Sequence, residues 1–243
     1  MIIQNNTVLI TGGATGIGFQ LATRLLEQNN KVIIVGRREE KLKEAKSMHP
    51  ELVTYTSDLS EEKNRIRLVE QVMKDFPDLN VVINNAGIMH YLNYDDIKPW
   101  DYVEKEIKTN LSAPIHLTHL LIPHLLKQEN AVLINITSGL SHVPLAATPV
   151  YSATKAALQS FTQSMRHQLL GKIRVIEVSP PLTNTDLGIP GSNTAGIPVD
   201  FFADKVISGL IKGEEEITYG FSELTTNANR IERQEIFNQL NGV

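Results

Sequence analysis

The sequence contains no cysteine, which excludes disulfide bonds, thiol nucleophiles and thiolate metal sites. It also has no apolar run approaching the roughly 18 residues that cross a membrane. The N-terminus, MIIQNNTVLI, lacks the basic region of a signal peptide. Basic residues form no cluster, and a net charge of −4 argues against nucleic acid as a partner. We therefore expect a cytoplasmic protein with neither a membrane nor a nucleic-acid partner.

The 243 residues show no Pro/Ser-rich linker, charge block or internal repeat, so we expect one domain spanning 1–243. Short apolar runs alternate with helical stretches along the whole chain, and strands that are apolar throughout indicate a parallel sheet covered on both faces. We predict an α/β fold, a Rossmann-type doubly wound sheet of about seven parallel strands with helices on both faces. The predicted strands are TVLI, KVIIVG, LVTYTS, NVVINN, AVLINIT, IRVIEVS and EITYG. The predicted helices lie near 17–29, 39–48, 60–75, 99–127, 152–170, 201–212 and 226–240.

A glycine-rich turn, TGGATGIG, follows the first predicted strand and opens a helix. Gly12, Gly16 and Gly18 permit a tight turn and a close approach of the backbone to a pyrophosphate at the positive helix N-terminus. Their spacing is GxxxGxG rather than the more familiar GxGxxG. A turn used only for packing is the alternative, but the strand–turn–helix context favours a phosphate site.

The second predicted strand ends in Gly36-Arg37-Arg38, where an NAD-preferring site carries an acid for the ribose 2′-hydroxyl. A guanidinium group pairs with phosphate in a fork geometry. The sequence therefore predicts NADP as the preferred cofactor, with NAD possible. The alternative is that an arginine here merely begins a solvated helix face beside Glu39.

Small and polar residues follow the third and fourth predicted strands. Asp58, which precedes Leu59, either acts as a cap or faces the adenine, and Ser60 is able to cap the following helix. Asn84-Asn85-Ala86-Gly87 follows a buried strand, at a point where a backbone must pass close to a ligand. Both segments are therefore candidates to border a ligand.

Tyr151 and Lys155 lie four residues apart near the start of a predicted helix and hence on one helix face. A phenol has a pKa of about 10, and a fixed ammonium nearby lowers it, which suits proton exchange with an alcohol or carbonyl. Ser138 follows the run AVLINIT and is expected just past the carboxyl end of a buried strand. Asn110 is a poor residue for the interior of the stretch 99–127. It therefore marks a kink or an active-site group, or else it lies on the helix surface.

Three histidines, at positions 116, 119 and 124, share a predicted helix, but no carboxylate accompanies them at ligand spacing. We therefore expect no metal site. A Gly/Pro-rich loop near 188–199 is long for a compact domain, and such loops often act as lids over a substrate. The residues expected to shape a substrate pocket are His90, Leu140, His142, Leu145, Leu182 and this loop.

Taken together, these motifs resemble the short-chain dehydrogenase/reductase family in its compact single-domain branch. The resemblance covers residues 7 to about 187. Within the family, the stretches PVYSATKAAL, SMRHQL and SPPLTNTDL resemble a bacterial subgroup named for an oxidoreductase encoded alongside lipoteichoic-acid D-alanylation genes. The matching motifs are Thr11-Gly12-x-x-x-Gly16-x-Gly18, Asp58, Asn84-Asn85-Ala86-Gly87, Asn110, Ser138, Tyr151-x-x-x-Lys155 and Pro180…Thr185.

By this resemblance, Tyr151 is the general acid/base, and Lys155 lowers its pKa and holds the nicotinamide ribose. Ser138 hydrogen-bonds the substrate oxygen, and Asn110 supports a water molecule in a proton relay. Thr15 departs from the basic residue that many NADP-preferring members carry at its position. The implied cofactor contacts, besides Tyr151 and Lys155, are Gly12, Thr15, Gly16, Ile17, Gly18, Arg37, Arg38, Asp58, Leu59, Asn85, Ala86, Gly87, Pro180, Thr183 and Thr185.

The expected function is that of an NADP(H)-preferring oxidoreductase that interconverts a small-molecule secondary alcohol and a carbonyl by hydride transfer. A non-catalytic dinucleotide sensor or scaffold on the same fold is the rival. Two predicted helices carry more apolar residues than one sheet-facing stripe requires. Members of the family that the chain resembles commonly pair these helices, which implies a homodimer or homotetramer. The apolar residues on the two helices are Leu117, Leu120, Leu121, Leu125, Leu126, Leu158, Phe161, Met165 and Leu169.

Overall fold

The structure is a computed structural model, and it describes residues 3–242. Within that range seven parallel strands form one sheet in the order β3-β2-β1-β4-β5-β6-β7, which confirms the predicted fold. The sheet order reverses between β1 and β4, and in open α/β sheets ligands bind at such a switch point. The strands are β1 (Thr7–Thr11), β2 (Lys31–Gly36), β3 (Val53–Thr56), β4 (Leu79–Asn84), β5 (Val132–Ile136), β6 (Arg174–Ser179) and β7 (Glu216–Thr218).

Helices follow the strands and cover both faces of the sheet. They are α1 (Gly16–Glu27), α2 (Glu39–Met48), α3 (Glu62–Asp75), α4 (Trp100–Ile107), α5 (Ala113–Leu125), α6 (Pro149–Gln168), α7 (Val199–Lys212), α8 (Phe221–Asn227) and α9 (Arg230–Asn241). A π-helical segment (Lys108–Ser112) joins α4 to α5, and a 3₁₀ turn (Gly139–Ser141) follows β5.

Two apolar layers hold the helices on the sheet. One layer packs α1, α2 and α7 against the strands, with Leu21 and Phe202 among its buried members. The other packs α3, α5 and the end of α6, with Val72, Leu121 and Leu169 buried. Because every strand side chain of β1 and β5 is buried, the strands read as continuous apolar runs.

The stretch 99–127 is not one α-helix, because a wider π turn interrupts it around Asn110. Asn110 is fully buried, so the kink interpretation is confirmed and the surface interpretation is wrong. π-helical turns inside α-helices are frequent at functional sites. This turn places Asn110 beneath the carboxyl edge of the sheet.

The helix predicted near 226–240 is present as α9 but begins later than expected, because α8 ends before Ala228 and α9 begins at Arg230. Ala228 has extended backbone angles (φ −68°, ψ 138°). Asn229 then caps α9, since its side-chain oxygen accepts from the amides of Ile231 and Glu232 while Glu232 accepts from the Asn229 amide. An asparagine that caps a new helix cannot continue the preceding one.

Of the nine apolar residues predicted to exceed one sheet-facing stripe on the long helices, most lie in the core. Five of the nine side chains are buried against the sheet or its neighbours: Leu117, Leu121, Leu125, Leu158 and Leu169. Leu120 and Met165 also pack on that layer, which leaves Leu126 and Phe161 at the helix surfaces. No helix in residues 3–242 has both the length and the apolar composition to cross a membrane.

Candidate active site

A cleft of about 980 Å³ opens at the carboxyl edge of the sheet, across the switch point between β1 and β4. Its volume lies within the range of small-molecule and cofactor sites. The ends of β1, β2, β4, β5 and β6 all contribute to its walls.

One wall consists of the glycine-rich turn and the segment after β4, which are bonded to each other. The Thr11 hydroxyl oxygen accepts from the amides of Asn85 and Ala86, each at 3.0 Å. The Asn85 side chain donates to the carbonyls of Thr11 and Gly12, at 2.9 and 3.1 Å. Gly12 has φ +65°, in the left-handed region that favours glycine. A Cβ on Gly18 would lie 2.3 Å from the Asn85 Nδ2, so Gly18 permits packing rather than lining the cleft.

The residues of this wall fit the pyrophosphate of a dinucleotide. Thr15, Gly16 and Ile17 line the cleft at the start of α1. No side chain caps that helix end, so no side chain occupies its first backbone N–H groups. Such N–H groups together with the helix dipole favour an anion.

The rim beside β2 carries two available guanidinium groups. Arg37 and Arg38 both line the cleft, and neither side chain makes a hydrogen bond or ion pair within the described part of the chain. Lys41, also on this rim, is instead paired with Glu44 at 2.7 Å. The arginines are therefore the cations that remain available to a phosphate group.

Asp58 lines the cleft and also caps its own turn. Its Oδ1 accepts from the Ser60 amide at 3.0 Å and from the Ser60 hydroxyl at 2.8 Å. Burial acts to raise the pKa of Asp58, but the Ser60 hydrogen bonds and the charges on Arg37 and Lys105 outweigh it, so the pKa is lowered. The Ser60 hydroxyl is thereby occupied, and the prediction that it caps α3 is wrong, since α3 begins after Glu61.

Ser138, Tyr151 and Lys155 meet on the opposite wall. Tyr151 and Lys155 lie on α6 and are only 6% and 3% exposed. The Lys155 Nζ donates to the Ile136 carbonyl at 2.7 Å and lies 5.7 Å from the centre of the Tyr151 ring. Ser138 follows β5, as predicted, and its side-chain oxygen accepts from the Leu140 amide at 3.2 Å.

The pKa of Tyr151 does not follow the sequence-based expectation. Burial raises it to about 12, with the Ser138 hydrogen bond acting to lower it and the charge of Glu106 raising it further. Burial also lowers the pKa of Lys155 to about 8. Burial is the main cause of both pKa shifts, and the Lys155 ammonium is held at the Ile136 carbonyl. The raised pKa favours the protonated phenol, which is the form that can donate a proton.

Asn110 lies behind this wall and holds the chain segment that follows Gly87. Its Oδ1 accepts from the Ile88 amide at 2.9 Å, and its Nδ2 donates to the Ile88 carbonyl at 2.7 Å and to the Thr154 hydroxyl at 3.3 Å. A Cβ on Gly87 would lie 3.5 Å from the Asn110 Oδ1 and 3.7 Å from the Lys155 Nζ. Asn110 therefore connects the π turn, the segment after β4 and α6.

The structure brings most of the predicted site residues to one cleft. Gly18 and Asn110 are the exceptions, since both lie behind its surface. The predicted residues that line it are Gly12, Thr15, Gly16, Ile17, Arg37, Arg38, Asp58, Leu59, Asn85, Ala86, Gly87, Ser138, Tyr151, Lys155, Pro180, Thr183 and Thr185.

Of the residues predicted to shape a substrate pocket, His90, Leu140, Leu145 and Leu182 line the cleft. His142 does not, and its prediction is wrong. The His142 ring turns to α6, where its Nε2 lies 2.8 Å from the side-chain nitrogen of Gln159.

The loop before α7 is held together by Asn193, which is buried. The Asn193 side chain donates to the carbonyls of Thr185 and Leu187, at 2.9 and 2.8 Å. Gly188, Pro190 and Asn193 all line the cleft. The loop therefore forms part of the wall beside the catalytic candidates.

Sequence reasoning missed the contribution of the C-terminal helices. Leu240 of α9 and Phe221 of α8 both line the cleft. The end of α9 is tied to the loop after β5, since the Asn241 Oδ1 accepts from the Ala146 amide at 2.6 Å and its Nδ2 donates to the Pro144 carbonyl at 3.2 Å. No motif marks these positions, because the contact joins residues about 95 positions apart in the chain.

Comparison with known proteins places this geometry in context. The family model described as short chain dehydrogenase matches residues 6–194. The chain is 42% identical to the uncharacterized oxidoreductase DltE of Bacillus subtilis (strain 168), over 99% of this chain and 98% of that protein.

Solved structures of low sequence identity share the fold. A short chain dehydrogenase from Burkholderia cenocepacia in complex with NADP has a TM-score of 0.85 and 24% identity, covering 99% of both chains. A 3-ketoacyl-(acyl-carrier-protein) reductase from Brucella melitensis complexed with NADH has a TM-score of 0.79 and 23% identity, covering 90% of this chain and 99% of that one.

Proposed function

The chain belongs to the short-chain dehydrogenase/reductase family and is an NAD(P)-dependent oxidoreductase; from this we propose that it prefers NADP(H) and interconverts a secondary alcohol and a carbonyl. One observation carries the proposal. Ser138, Tyr151 and Lys155 meet, nearly buried, in the same cleft as the glycine-rich turn at the start of α1.

Each of the three side chains has a distinct part in the proposed reaction. A nicotinamide bound in this cleft would supply or accept the hydride. In the direction of reduction, Tyr151 donates its hydroxyl proton to the substrate oxygen, and Ser138 hydrogen-bonds that oxygen. The Lys155 ammonium, 5.7 Å from the ring, stabilises the phenolate that remains. In oxidation the phenolate takes the proton back.

The cofactor preference is argued from the rim beside β2. Arg37 and Arg38 are exposed there without hydrogen-bond or ion-pair partners in the described chain, and Gly36 brings no acid to the end of the strand. A hydrogen bond to a charged group contributes about 1.5–3 kcal/mol, and the lower figure corresponds to about a tenfold preference. Because Thr15 adds no further positive charge, we expect the preference for NADP over NAD to be of roughly this size. The solved relatives hold NADP in one case and NADH in another, which is consistent with NAD as the weaker alternative.

The remaining parts of the proposal concern the whole molecule. We propose a single cytoplasmic domain that forms a homodimer or homotetramer, with the loop near 188–199 covering a small-molecule substrate. The position of Gly188, Pro190 and Asn193 in the cleft wall supports the role of the loop. Leu126 and Phe161 supply the apolar surface that remains on the long helices.

The substitution Tyr151→Phe tests the proposed chemistry. A panel of carbonyls with NADPH and of alcohols with NADP, followed by nicotinamide absorbance, first identifies a reactive pair. Because only a hydroxyl is removed, we expect unchanged cofactor affinity and turnover lowered by at least about a hundredfold.

The matched control is Tyr94→Phe, which removes the same hydroxyl from a tyrosine that is 67% exposed and does not line the cleft. Near-normal turnover by Tyr151→Phe would overturn the proposed role. Cofactor binding without turnover of any compound by the unaltered protein would favour the sensor instead.

A further inference from the structure

A buried carboxyl group lies beside the cleft, and the reaction proposed above does not use it. Glu106, near the end of α4, is 0% exposed. Its Oε1 accepts from the His90 amide at 3.3 Å. Its Oε2 has no hydrogen-bond partner and lies 3.4 Å from the His90 Nδ1, which is likewise buried and unpartnered. A buried polar atom left in this state in a native structure calls for a physical explanation.

The second member of the pair, His90, lines the cleft. Its ring stacks on Tyr102, with the centroids 3.8 Å apart and the planes at 19°. The His90 side chain is 18% exposed, but its Nδ1 is buried. A molecule in the cleft can therefore contact only the rest of the ring.

Backbone contacts fix the position of this ring. Glu106 holds the amide of His90, and Asn110, four residues further along, holds the amide and carbonyl of Ile88. Glu106 and Asn110 therefore hydrogen-bond the backbone of one cleft-lining segment at two positions, His90 and Ile88. Removal of the Glu106 side chain would leave the backbone amide of His90 without this hydrogen bond, and the position of the imidazole would be less constrained.

Burial and the nearby positive charges favour the neutral form of the His90 imidazole. Burial lowers the pKa of His90, a contact with the Tyr102 backbone opposes this, and the positive charges of Arg37 and Lys105 lower it further. On the other side, the charge of Glu106 acts on Tyr151 of α6 and raises the pKa of that phenol. A neutral imidazole has one N–H, and the partner of Nδ1 decides which nitrogen carries it.

We propose that His90 and Glu106 form a substrate-recognition pair, in which Glu106 sets the tautomer of His90 and the Nε2 of that ring binds a second oxygen atom of the substrate. This inference rests on the proposed function. The substrate class is a carbonyl or alcohol that carries a further oxo or hydroxy group, rather than a purely aliphatic ketone.

One proton determines what His90 offers. When the Glu106 carboxyl is protonated, its O–H donates to Nδ1 and the proton on Nε2 donates to a substrate carbonyl oxygen. When the carboxyl is ionised, the remaining ring proton moves to Nδ1 and donates to the carboxylate, so Nε2 accepts from a substrate hydroxyl. Burial raises the pKa of Glu106 to about 7, which places this change in the neutral range.

Nitrogen-15 NMR of the labelled full-length protein tests the tautomer, with His90→Asn used to assign the ring signals. We expect the two His90 nitrogens to exchange their protonated and unprotonated shifts with a midpoint near pH 7, without forming imidazolium. Glu106→Gln should remove that midpoint. Glu104→Gln, which removes a carboxylate on the same helix that pairs with Lys108 at 2.7 Å, should retain it. Ordinary formation of imidazolium, alike in the unaltered protein and in Glu106→Gln, would overturn the proposal.

Two probe compounds test the substrate contact in the same spectra, with NADPH present. We expect butane-2,3-dione to shift the His90 Nε2 signal at a concentration about tenfold lower than butan-2-one, the scale of one hydrogen bond. His90→Phe, which keeps an aromatic ring on Tyr102, should lose the difference in affinity when binding is followed through methyl signals. An equal response to both probes, or none, contradicts the recognition role. Because no turnover is required, failure here is distinct from failure of the proposed reaction.

Discussion

In the unaltered protein, we expect the free energy of unfolding to fall as the pH rises because Glu106 ionises. Replacement of Glu106 with glutamine should abolish this part of the fall. Glu106 is fully buried, and burial raises its pKa from 4.5 to about 7. The folded protein therefore keeps a proton that the unfolded chain has already released between these two values. Since the folded state binds more protons there, the free energy of unfolding falls through this window and levels off above it.

The size of the effect follows from the two pKa values. The full difference corresponds to about 3 kcal/mol, and about 2.5 kcal/mol of it falls between pH 5 and pH 8. The free energy of unfolding of Glu106→Gln minus that of the unaltered protein should rise by this amount over that interval. Subtraction of the two proteins cancels the titration of every group that does not interact with Glu106.

Urea denaturation at pH 5 and pH 8 measures the difference. Glu104→Gln is the control, because Glu104 is 41% exposed and paired at the surface, so its difference should change little with pH. A difference for Glu106→Gln that stays within about 1 kcal/mol between the two pH values would refute a neutral, buried carboxyl group at this position.

Three further predictions concern the cofactor, the glycine turn and the assembly. Arg37→Asp should reverse the cofactor preference in titrations with NADPH and NADH, whereas Arg67→Asp, the same charge change on α3, should not; tighter NADH binding by the unaltered protein would contradict the assignment. Gly18→Ala should lower the midpoint of thermal unfolding by several degrees, because the added methyl would lie 2.3 Å from the Asn85 Nδ2 and overpacking costs about 1–3 kcal/mol. The control Gly36→Ala meets only ordinary contacts of 3.6 Å and should unfold near the normal midpoint. Light scattering at micromolar concentration should give at least the mass of a dimer, and a monomer mass would refute the proposed assembly.

The sheet was predictable because its strands are buried on both faces. A run such as KVIIVG carries enough apolar residues to be recognised without knowledge of its neighbours, and β2 spans Lys31–Gly36 as expected. The glycine turn and the residues at strand ends were predictable for a related reason. Once the strands are recognised as parallel, their carboxyl ends must meet at one edge of the sheet. Position along the chain was sufficient information for both.

Other features depend on contacts that sequence spacing does not reveal. The pKa of Tyr151 is raised because its side chain is buried, which depends on all the surrounding residues rather than on the Tyr151–Lys155 spacing. His142 follows a strand end as His90 does, yet Gln159 draws its ring away from the cleft. Leu240 reaches the cleft only because Asn241 is tied to a loop far away in the sequence.

The π turn at Lys108–Ser112 has a consequence for how this segment tolerates a change of length. A π turn contains about one residue more than an α turn, so loss of one residue here would convert the segment into continuous α-helix. The helix before the deletion would then rotate by about 100° against the helix after it. Glu106 and Asn110 could no longer hold Ile88 and His90 together, although every side chain except one would still be present. We therefore expect loss of one residue here to disrupt the cleft wall more than substitution of an exposed side chain nearby would.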